Sequence, residues 1–111
     1  MQAPSYTQAE LRRILRETRT IAAVGVSPNP VRPSFYVARY LSMKGYRVIP
    51  VNPVQAGAEM FGETVVPTLA DIPGDVGSVD MVDIFRRSEQ AGAVVDEAIE
   101  ALGPRGLRTV W

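Results

Sequence analysis

The residues best suited to chemistry lie in the stretch TIAAVGVSPNPVRPSFYVARYL, residues 20–41. This stretch has the pattern of a strand, a turn and a helix, where many α/β proteins hold a phosphate. Gly25 allows close backbone approach, the helix opening near Ser34 offers free N–H groups, and Arg32 adds a cation just before it. The turn predicts an anion site, although a tight strand exit with a solvated arginine would have the same residues.

The end of the second predicted strand indicates which class of ligand the turn could hold. A dinucleotide fingerprint has three glycines in its turn and an acid about 20 residues later, which holds the ribose hydroxyls. Here the turn has a single glycine, residues 45–55 contain no acid, and Asn52 and Pro53 stand at that place. The absence of a carboxylate favours a phosphorylated adenosine, as in coenzyme A or NADP. Arg86 and Arg87 add positive charge near the same rim, or form an ordinary hydrophilic strand exit.

Composition limits the chemistry further. The 111 residues carry 12 basic and 12 acidic side chains, so the balance of charge predicts neither a nucleic-acid partner nor a membrane surface. Histidine and cysteine are absent, which removes the commonest general base, metal ligand and thiol nucleophile. We predict no catalytic residue and no metal site. Asp80 and Asp83, expected on one face of a strand, are interpreted as strand-end caps.

Helices and strands must alternate along the chain to position these residues. Helices are predicted at 7–18 and 34–44 and after Ser88, a single helical turn at 68–71, and strands at 20–25, 46–51, 78–85 and 107–111. Thr7 begins a capping box, Ser34 is the expected cap of the second helix, and Gly45 ends that helix. Alternation of this kind predicts a parallel sheet with right-handed crossovers. We predict one α/β domain over residues 1–111, Rossmann-like and three-layered, with strand order 3-2-1-4.

The last predicted strand ends with the chain at Trp111. We interpret the domain as truncated at its carboxyl end, because the loop that normally follows such a strand is missing. Residues 107–111 are expected to form an edge strand that could pair with a second copy. No signal segment and no run of 18 apolar residues is present, so we expect a soluble cytoplasmic protein.

Several segments resemble the small CoA-binding protein family, which is similar in fold to the amino-terminal domain of the succinyl-CoA synthetase alpha chain. The segments are VGVSPNP at 24–30, RPS at 32–34, YL at 40–41, GYRVIPVNP at 45–53, GE at 62–63, TLADIP at 68–73, VD at 79–80 and VDIFRR at 82–87. The turn and the VNP stretch are separated by one helix and one strand, as they are in that family. The resemblance extends over roughly residues 10–111.

The resemblance implies a Rossmann-type CoA site in which proline replaces glycine at the turn. The residues implied are Gly25, Val26, Ser27 and Pro28 at the pyrophosphate turn, Arg32 and Ser34 toward phosphate, Asn52 and Pro53 beside the adenosine, and Phe85 and Arg86 on the other side. We therefore predict a non-enzymatic protein that binds coenzyme A or an acyl-CoA. An NADP- or other nucleotide-dependent enzyme, and a self-associating domain without a ligand, stay open as alternatives.

Overall fold

The computed structural model describes residues 7–86 and 88–111. The elements are α1 Gln8–Glu17, β1 Thr20–Val24, α2 Pro33–Met43, β2 Arg47–Val51, β3 Glu59–Met60, β4 Glu63–Thr64, β5 Met81–Ile84, α3 Ser88–Leu102 and β6 Thr109–Val110. Short 3₁₀ turns lie at Leu69–Asp71, Gly74–Val76 and Gly103–Arg105, the first where a helical turn is predicted. Arg87, predicted to add charge at a strand exit, and the capping side chain of Ser88 lie outside the described part.

The main sheet consists of four strands in the order β2-β1-β5-β6. All of its pairs are parallel, with Thr20 of β1 opposite Arg47 of β2, and Ile21 of β1 opposite Met81 of β5. Helix α2 connects β1 to β2, and α3 connects β5 to β6. Helical crossovers between parallel strands are the defining feature of α/β folds, so the predicted fold class is confirmed.

The predicted strand order, 3-2-1-4, is wrong. That order placed the third strand, 78–85, beyond the second strand, whereas β5 lies on the opposite side of β1. The outer position beside β2 is taken by Val66, which forms an isolated parallel bridge with Val51. The N–H of Val66 donates to the carbonyl oxygen of Pro50 at 3.0 Å. Prolines and glycines surround this single β-bridge, so no strand could be recognised there from the sequence.

Apolar side chains pack on both faces of the sheet. Successive residues of β1 alternate between the faces, because side chains along a strand point in opposite directions. On the α3 face the buried cluster includes Ala22, Val24, Ile49, Val51, Leu69, Val82, Ala98 and Leu102. On the α2 face it includes Ala23, Val26, Ala38, Val48, Met60 and Val65. The absence of alternation in the sequence of β1 thus reflects burial on both sides.

Two helix ends follow their sequence signals. At the start of α1, the Thr7 hydroxyl accepts the N–H of Glu10 and the Glu10 carboxylate accepts the N–H of Thr7, which confirms the capping box. At the end of α2, Gly45 has φ +97° and the N–H of Tyr46 donates to the carbonyl of Leu41 at 3.2 Å. This is a Schellman motif, and it confirms Gly45 as the predicted helix end.

Candidate functional site

The ends of β1, β2 and β5 lie side by side at the carboxyl edge of the sheet. The N–H of Gly25 donates to the carbonyl of Val51, and the N–H of Phe85 donates to the carbonyl of Val24, both at 2.8 Å. These bonds continue the pairing of β1 with its two neighbours by one residue. The turn after β1 therefore begins between the exits of β2 and β5, where connections leave in opposite directions and ligands bind in open α/β sheets.

Gly25 suits the exit of β1 because its backbone is left-handed and the Arg86 side chain passes directly over it. Gly25 has φ +83°, and a Cβ built on it would lie 2.8 Å from Arg86 Nε and 3.0 Å from the carbonyl oxygen of Phe85. A glycine leaves this space open and also adopts the left-handed backbone without strain. The fold thus brings together two predicted site residues from different strands and places a cation at the carboxyl edge.

Short polar side chains hold the proline-rich turn in its conformation. The Ser27 hydroxyl accepts the N–H of Asn29 at 3.1 Å, and the Asn29 side-chain oxygen accepts the N–H of Val31 at 3.1 Å. The Ser34 hydroxyl accepts the N–H of Ser27 at 3.0 Å. The three prolines between residues 28 and 33 have no N–H and fix φ. Proline can therefore replace glycine in a turn that side chains stabilise from within.

Helix α2 begins at Pro33, and its N-cap is Arg32, so the prediction of Ser34 as the cap is wrong. Proline suits the first helical position, where its missing N–H would have had no partner in the helix. Among the described residues, no acceptor is found for the backbone N–H groups of Val26 and Ser34. Val26 is fully buried, so the groups available to an anion at the turn are the N–H of the half-buried Ser34 and the exposed side chains of Arg32 and Arg86.

Asn52, predicted beside the adenosine, connects the exit of β2 to the turn. Its Nδ2 donates to the carbonyl of Val26, and its Oδ1 accepts the N–H of Val54, both at 3.0 Å. Its own N–H donates to the carbonyl of Val66 at 2.9 Å. Each end of the side-chain amide therefore makes one hydrogen bond within the protein, and Asn52 connects the turn to the exit of β2.

A cleft of about 200 Å³ opens beside these exits on the α3 face of the sheet. Its lining consists of Val24, Val51, Pro53, Pro67, Thr68, Leu69, Arg86, Val94 and Glu97. Pro53 and Arg86 are predicted site residues, and the cleft brings them together. The walls from Pro67, Thr68 and α3 were not predicted, because residues 52–71 show no period and the helix pattern indicates only packing.

The side chains of two predicted site residues point away from this cleft. Val26 is fully buried, and Phe85 is partly buried against the same cluster on the α2 face. No part of Val26 is therefore exposed at the surface. The ring of Phe85 supports α2, whereas the next residue along the chain, Arg86, borders the cleft on the opposite face.

Asp80 and Asp83 have different surroundings in the structure. Asp80 Oδ2 accepts the N–H groups of Arg19 and Thr20 at 2.9 and 3.0 Å, which confirms its role as a strand-end cap. Asp83 lies within β5, where burial raises its pKa to about 6. Their predicted common face is wrong, because side chains three residues apart along a strand point to opposite sides. In the described part of the chain, no cluster of potential metal ligands and no membrane-spanning helix occurs.

The parallel sheet, the turn at the point where the strand order reverses and the cleft beside it define a Rossmann-like α/β domain with a candidate ligand site at its carboxyl edge. The chain belongs to the CoA binding domain family, whose model matches residues 19–111. This range includes every residue predicted to contact the ligand.

Individual relatives support the same assignment. The uncharacterized protein YneT of Bacillus subtilis (strain 168) is 40% identical over 104 residues, which are 94% of this chain and 72% of YneT. The crystal structure of Prb, the PH1109 protein redesigned for binding, has a TM-score of 0.82 at 36% identity and covers 96% of this chain and 69% of Prb. The Rex-family repressor RSP, in complex with β-NADH, has a TM-score of 0.64 at 19% identity over 93% of this chain and 50% of RSP, which shows the fold alone.

Proposed function

We propose that the protein binds coenzyme A or an acyl-CoA at the carboxyl edge of its sheet and has no catalytic chemistry of its own. Membership of the CoA binding domain family supports a CoA-type small molecule as the ligand. The observation that carries the proposal is the passage of Arg86 over Gly25, because it places a cation between the proline-rich turn and the cleft. An anionic ligand with an aromatic base could contact the turn, the Arg86 cation and the cleft at once.

In this proposal the adenosine occupies the cleft. Pro53 and Pro67 offer flat apolar surfaces to a base, and Thr68 adds a hydroxyl at the rim. The volume of about 200 Å³ lies below the roughly 300–1,000 Å³ of pockets that enclose a whole ligand. The cleft therefore suits one base, with the rest of the ligand lying along the strand exits.

The phosphates would then lie against the turn. The N–H of Ser34 has no acceptor among the described residues and lies in the first turn of α2. The amino terminus of α2 and the guanidinium of Arg32 add positive charge at that point. A guanidinium can bind phosphate through two parallel hydrogen bonds, which makes arginine well suited to this role.

The exit of β2 supports a phosphorylated ribose. Asn52 and Pro53 occupy the position at which NAD-binding folds carry an acid, and the Asn52 amide is already used within the protein. The same feature is compatible with NADP, which is the second candidate ligand. Dephospho-CoA should bind about ten- to hundredfold more weakly than CoA if a basic side chain contacts the ribose phosphate.

Calorimetric titration with CoA, dephospho-CoA, NADPH and NADH tests the proposal. We expect CoA to bind and NADH to bind much more weakly or not at all. NADH affinity equal to or greater than that of CoA would contradict the proposal, and a preference for NADPH would favour the second candidate.

Replacement of Arg32 tests the phosphate contact. Arg32→Ala should weaken CoA binding about ten- to hundredfold, with the free energy of unfolding changed by less than about 0.5 kcal/mol. Arg12→Ala removes an exposed arginine from α1 and is the matched control, expected to leave the CoA affinity unchanged. An unaltered dissociation constant for Arg32→Ala would show that this arginine is only a solvated charge.

A further inference from the structure

An apolar groove of about 260 Å³ lies on the α2 face of the sheet, opposite the cleft. Three aliphatic residues of α1 form one wall, Val37 and Leu41 of α2 form the other, and Met81 and Asp83 of β5 form the floor together with Trp111. The side chain of Val37 is 43% exposed, so an apolar surface faces solvent here. The proposed CoA site does not use this groove.

Two of the elements that line the groove lead to the carboxyl edge of the sheet. Helix α2 begins at the proline-rich turn, and Val37 lies four residues after Pro33, about 6 Å along the helix axis. Asp83 lies three residues before Arg86, about 10 Å along an extended chain. The wall and the floor of the groove are thus continuations of two elements that form the proposed CoA site.

The surroundings of Asp83 show that the groove disfavours charge. Burial raises the pKa of Asp83 to about 6, because its carboxylate loses contact with water. Among the described residues that line the groove, Asp83 has the only ionisable side chain. A second nucleotide or a phosphate would find no cation here, whereas an alkyl chain would bury apolar surface.

We propose that this groove holds the acyl chain of a short- or medium-chain acyl-CoA, an inference that rests on the proposed function. With the diphosphate at the turn, the pantetheine arm would cross the exits of β5 and β6, and the acyl chain would enter between α1 and α2. The groove volume of about 260 Å³ lies just below the roughly 300–1,000 Å³ of small-molecule pockets, which limits the length of chain it can enclose. The preferred ligand is therefore an acyl-CoA rather than free CoA.

Titration with CoA and with butyryl-, hexanoyl- and octanoyl-CoA tests the inference. Each buried methylene should raise the affinity about fourfold until the groove is full, after which longer chains should add nothing. If CoA and all three thioesters bind equally, the inference is wrong while the proposed function stands. If none of them binds, the proposed function itself fails.

A pair of variants on α2 assigns the effect to the groove. Val37→Trp places a large ring in the wall and should abolish the dependence on chain length while the affinity for free CoA is retained. Tyr36→Trp is the matched control, because Tyr36 is an exposed neighbour that does not line the groove, and it should behave like the parent. Thermal melts establish that both variants are folded.

The same variants distinguish another occupant of the groove. If Val37→Trp leaves the dependence on chain length intact, the acyl chain lies elsewhere and the inference is overturned. If that variant instead alters only the sedimentation coefficient, the groove is a contact between two copies of the chain, which also overturns it.

Discussion

Single residues set the chemical character of each surface around the sheet. Gly25 leaves room for Arg86, so one missing side chain permits a cation at the carboxyl edge. Asn52 uses its amide to hold the turn, and Asp83 puts a carboxylate into an apolar groove. These residues also differ in their effect on the stability of the fold, because a left-handed glycine is hardly strained whereas a half-buried carboxylate is destabilising.

Gly25→Ala should weaken CoA binding as well as stability. The added Cβ would lie 2.8 Å from Arg86 Nε, so the arginine must move, and φ +83° strains any residue other than glycine. We expect a loss of about 1–3 kcal/mol in the free energy of unfolding, together with reduced affinity in a CoA titration. Gly45→Ala is the control, since Gly45 has φ +97° and a Cβ added there would have no neighbour within 4 Å. It should lose stability but retain affinity, and equal affinity losses in both variants would argue against a role for Arg86.

Asp83 should make the stability of the protein depend on pH. Its folded-state pKa of about 6 lies above the ordinary value of 3.8, so between these pH values the folded chain binds more protons than the unfolded chain. The free energy of unfolding should therefore fall as the pH rises from about 4 to about 6 and change little from this group at higher pH. Asp83→Asn should remove this dependence.

Denaturant titrations of Asp83→Asn and the parent at pH 4 and pH 8 provide the measurement. The variant should be more stable by about 1–2 kcal/mol at pH 8, allowing for partial contact of the carboxylate with water, and no more stable at pH 4. Asp96→Asn on the exposed side of α3 is the matched control and should leave the pH dependence of the parent unchanged. A gain for Asp83→Asn of the same size at both pH values would show that burial of the charge is not the cause.

At the scale of elements, the proline-rich turn is the feature that distinguishes this fold from a dinucleotide-binding one. A glycine-rich turn offers its N–H groups to a pyrophosphate, whereas this turn satisfies most of its N–H groups with Ser27, Asn29 and Ser34. The donor that is left outside the buried core is the N–H of Ser34, in the first turn of α2. Binding of an anion therefore depends on a turn whose shape is held before the ligand arrives.

Asn52→Ala tests that dependence. The substitution removes the bond to the carbonyl of Val26 and the bond from the N–H of Val54, and it should cost about 1–3 kcal/mol in the free energy of unfolding. CoA affinity should fall as well, because the turn loses its connection to β2. Asn52→Asp keeps the acceptor for Val54 but not the donor for Val26, so an affinity equal to that of the parent would show that this connection is not needed.

At the scale of the whole molecule, the cleft and the groove are separated by the thickness of the sheet. The cleft lies on the α3 face, the groove lies on the α2 face, and the turn stands at the edge between them. This arrangement follows from the position of β5 beside β1, which places the turn after β1 against the exit of β5. An extended ligand could therefore contact both faces by crossing the carboxyl edge.

The outer strand β6 is the part of the sheet at which a second copy of the chain could pair. β6 comprises two residues, Thr109 and Val110, and pairs with β5 on its inner side. Self-association through residues 107–111 stays a prediction, and sedimentation over a tenfold range of concentration measures it. We expect Thr109→Lys to reduce association, because a charge on an edge strand opposes pairing. If the parent protein is monomeric throughout this range of concentration, the prediction is wrong.

Local patterns determined the elements of this protein. Thr7 with Glu10, and Gly45 after α2, specified helix ends because caps depend on residues within a few positions of one another. The apolar run of β1 likewise predicted a strand buried on both faces. The resemblance across the turn and the VNP stretch indicated the family and predicted a site at the carboxyl edge of the sheet.

Only the tertiary structure decided how those elements meet. The side of β1 on which β5 lies, the passage of Arg86 over Gly25, and the joining of Pro53 with Pro67 in one cleft all depend on contacts between residues far apart in the chain. In the sequence, Asp83 is an ordinary acid in a strand. In the structure, residues of α1 and α2 lie around it and exclude part of the water from its carboxylate. Such features arise from packing, and packing depends on the whole chain at once, whereas local patterns record only the neighbours of each residue.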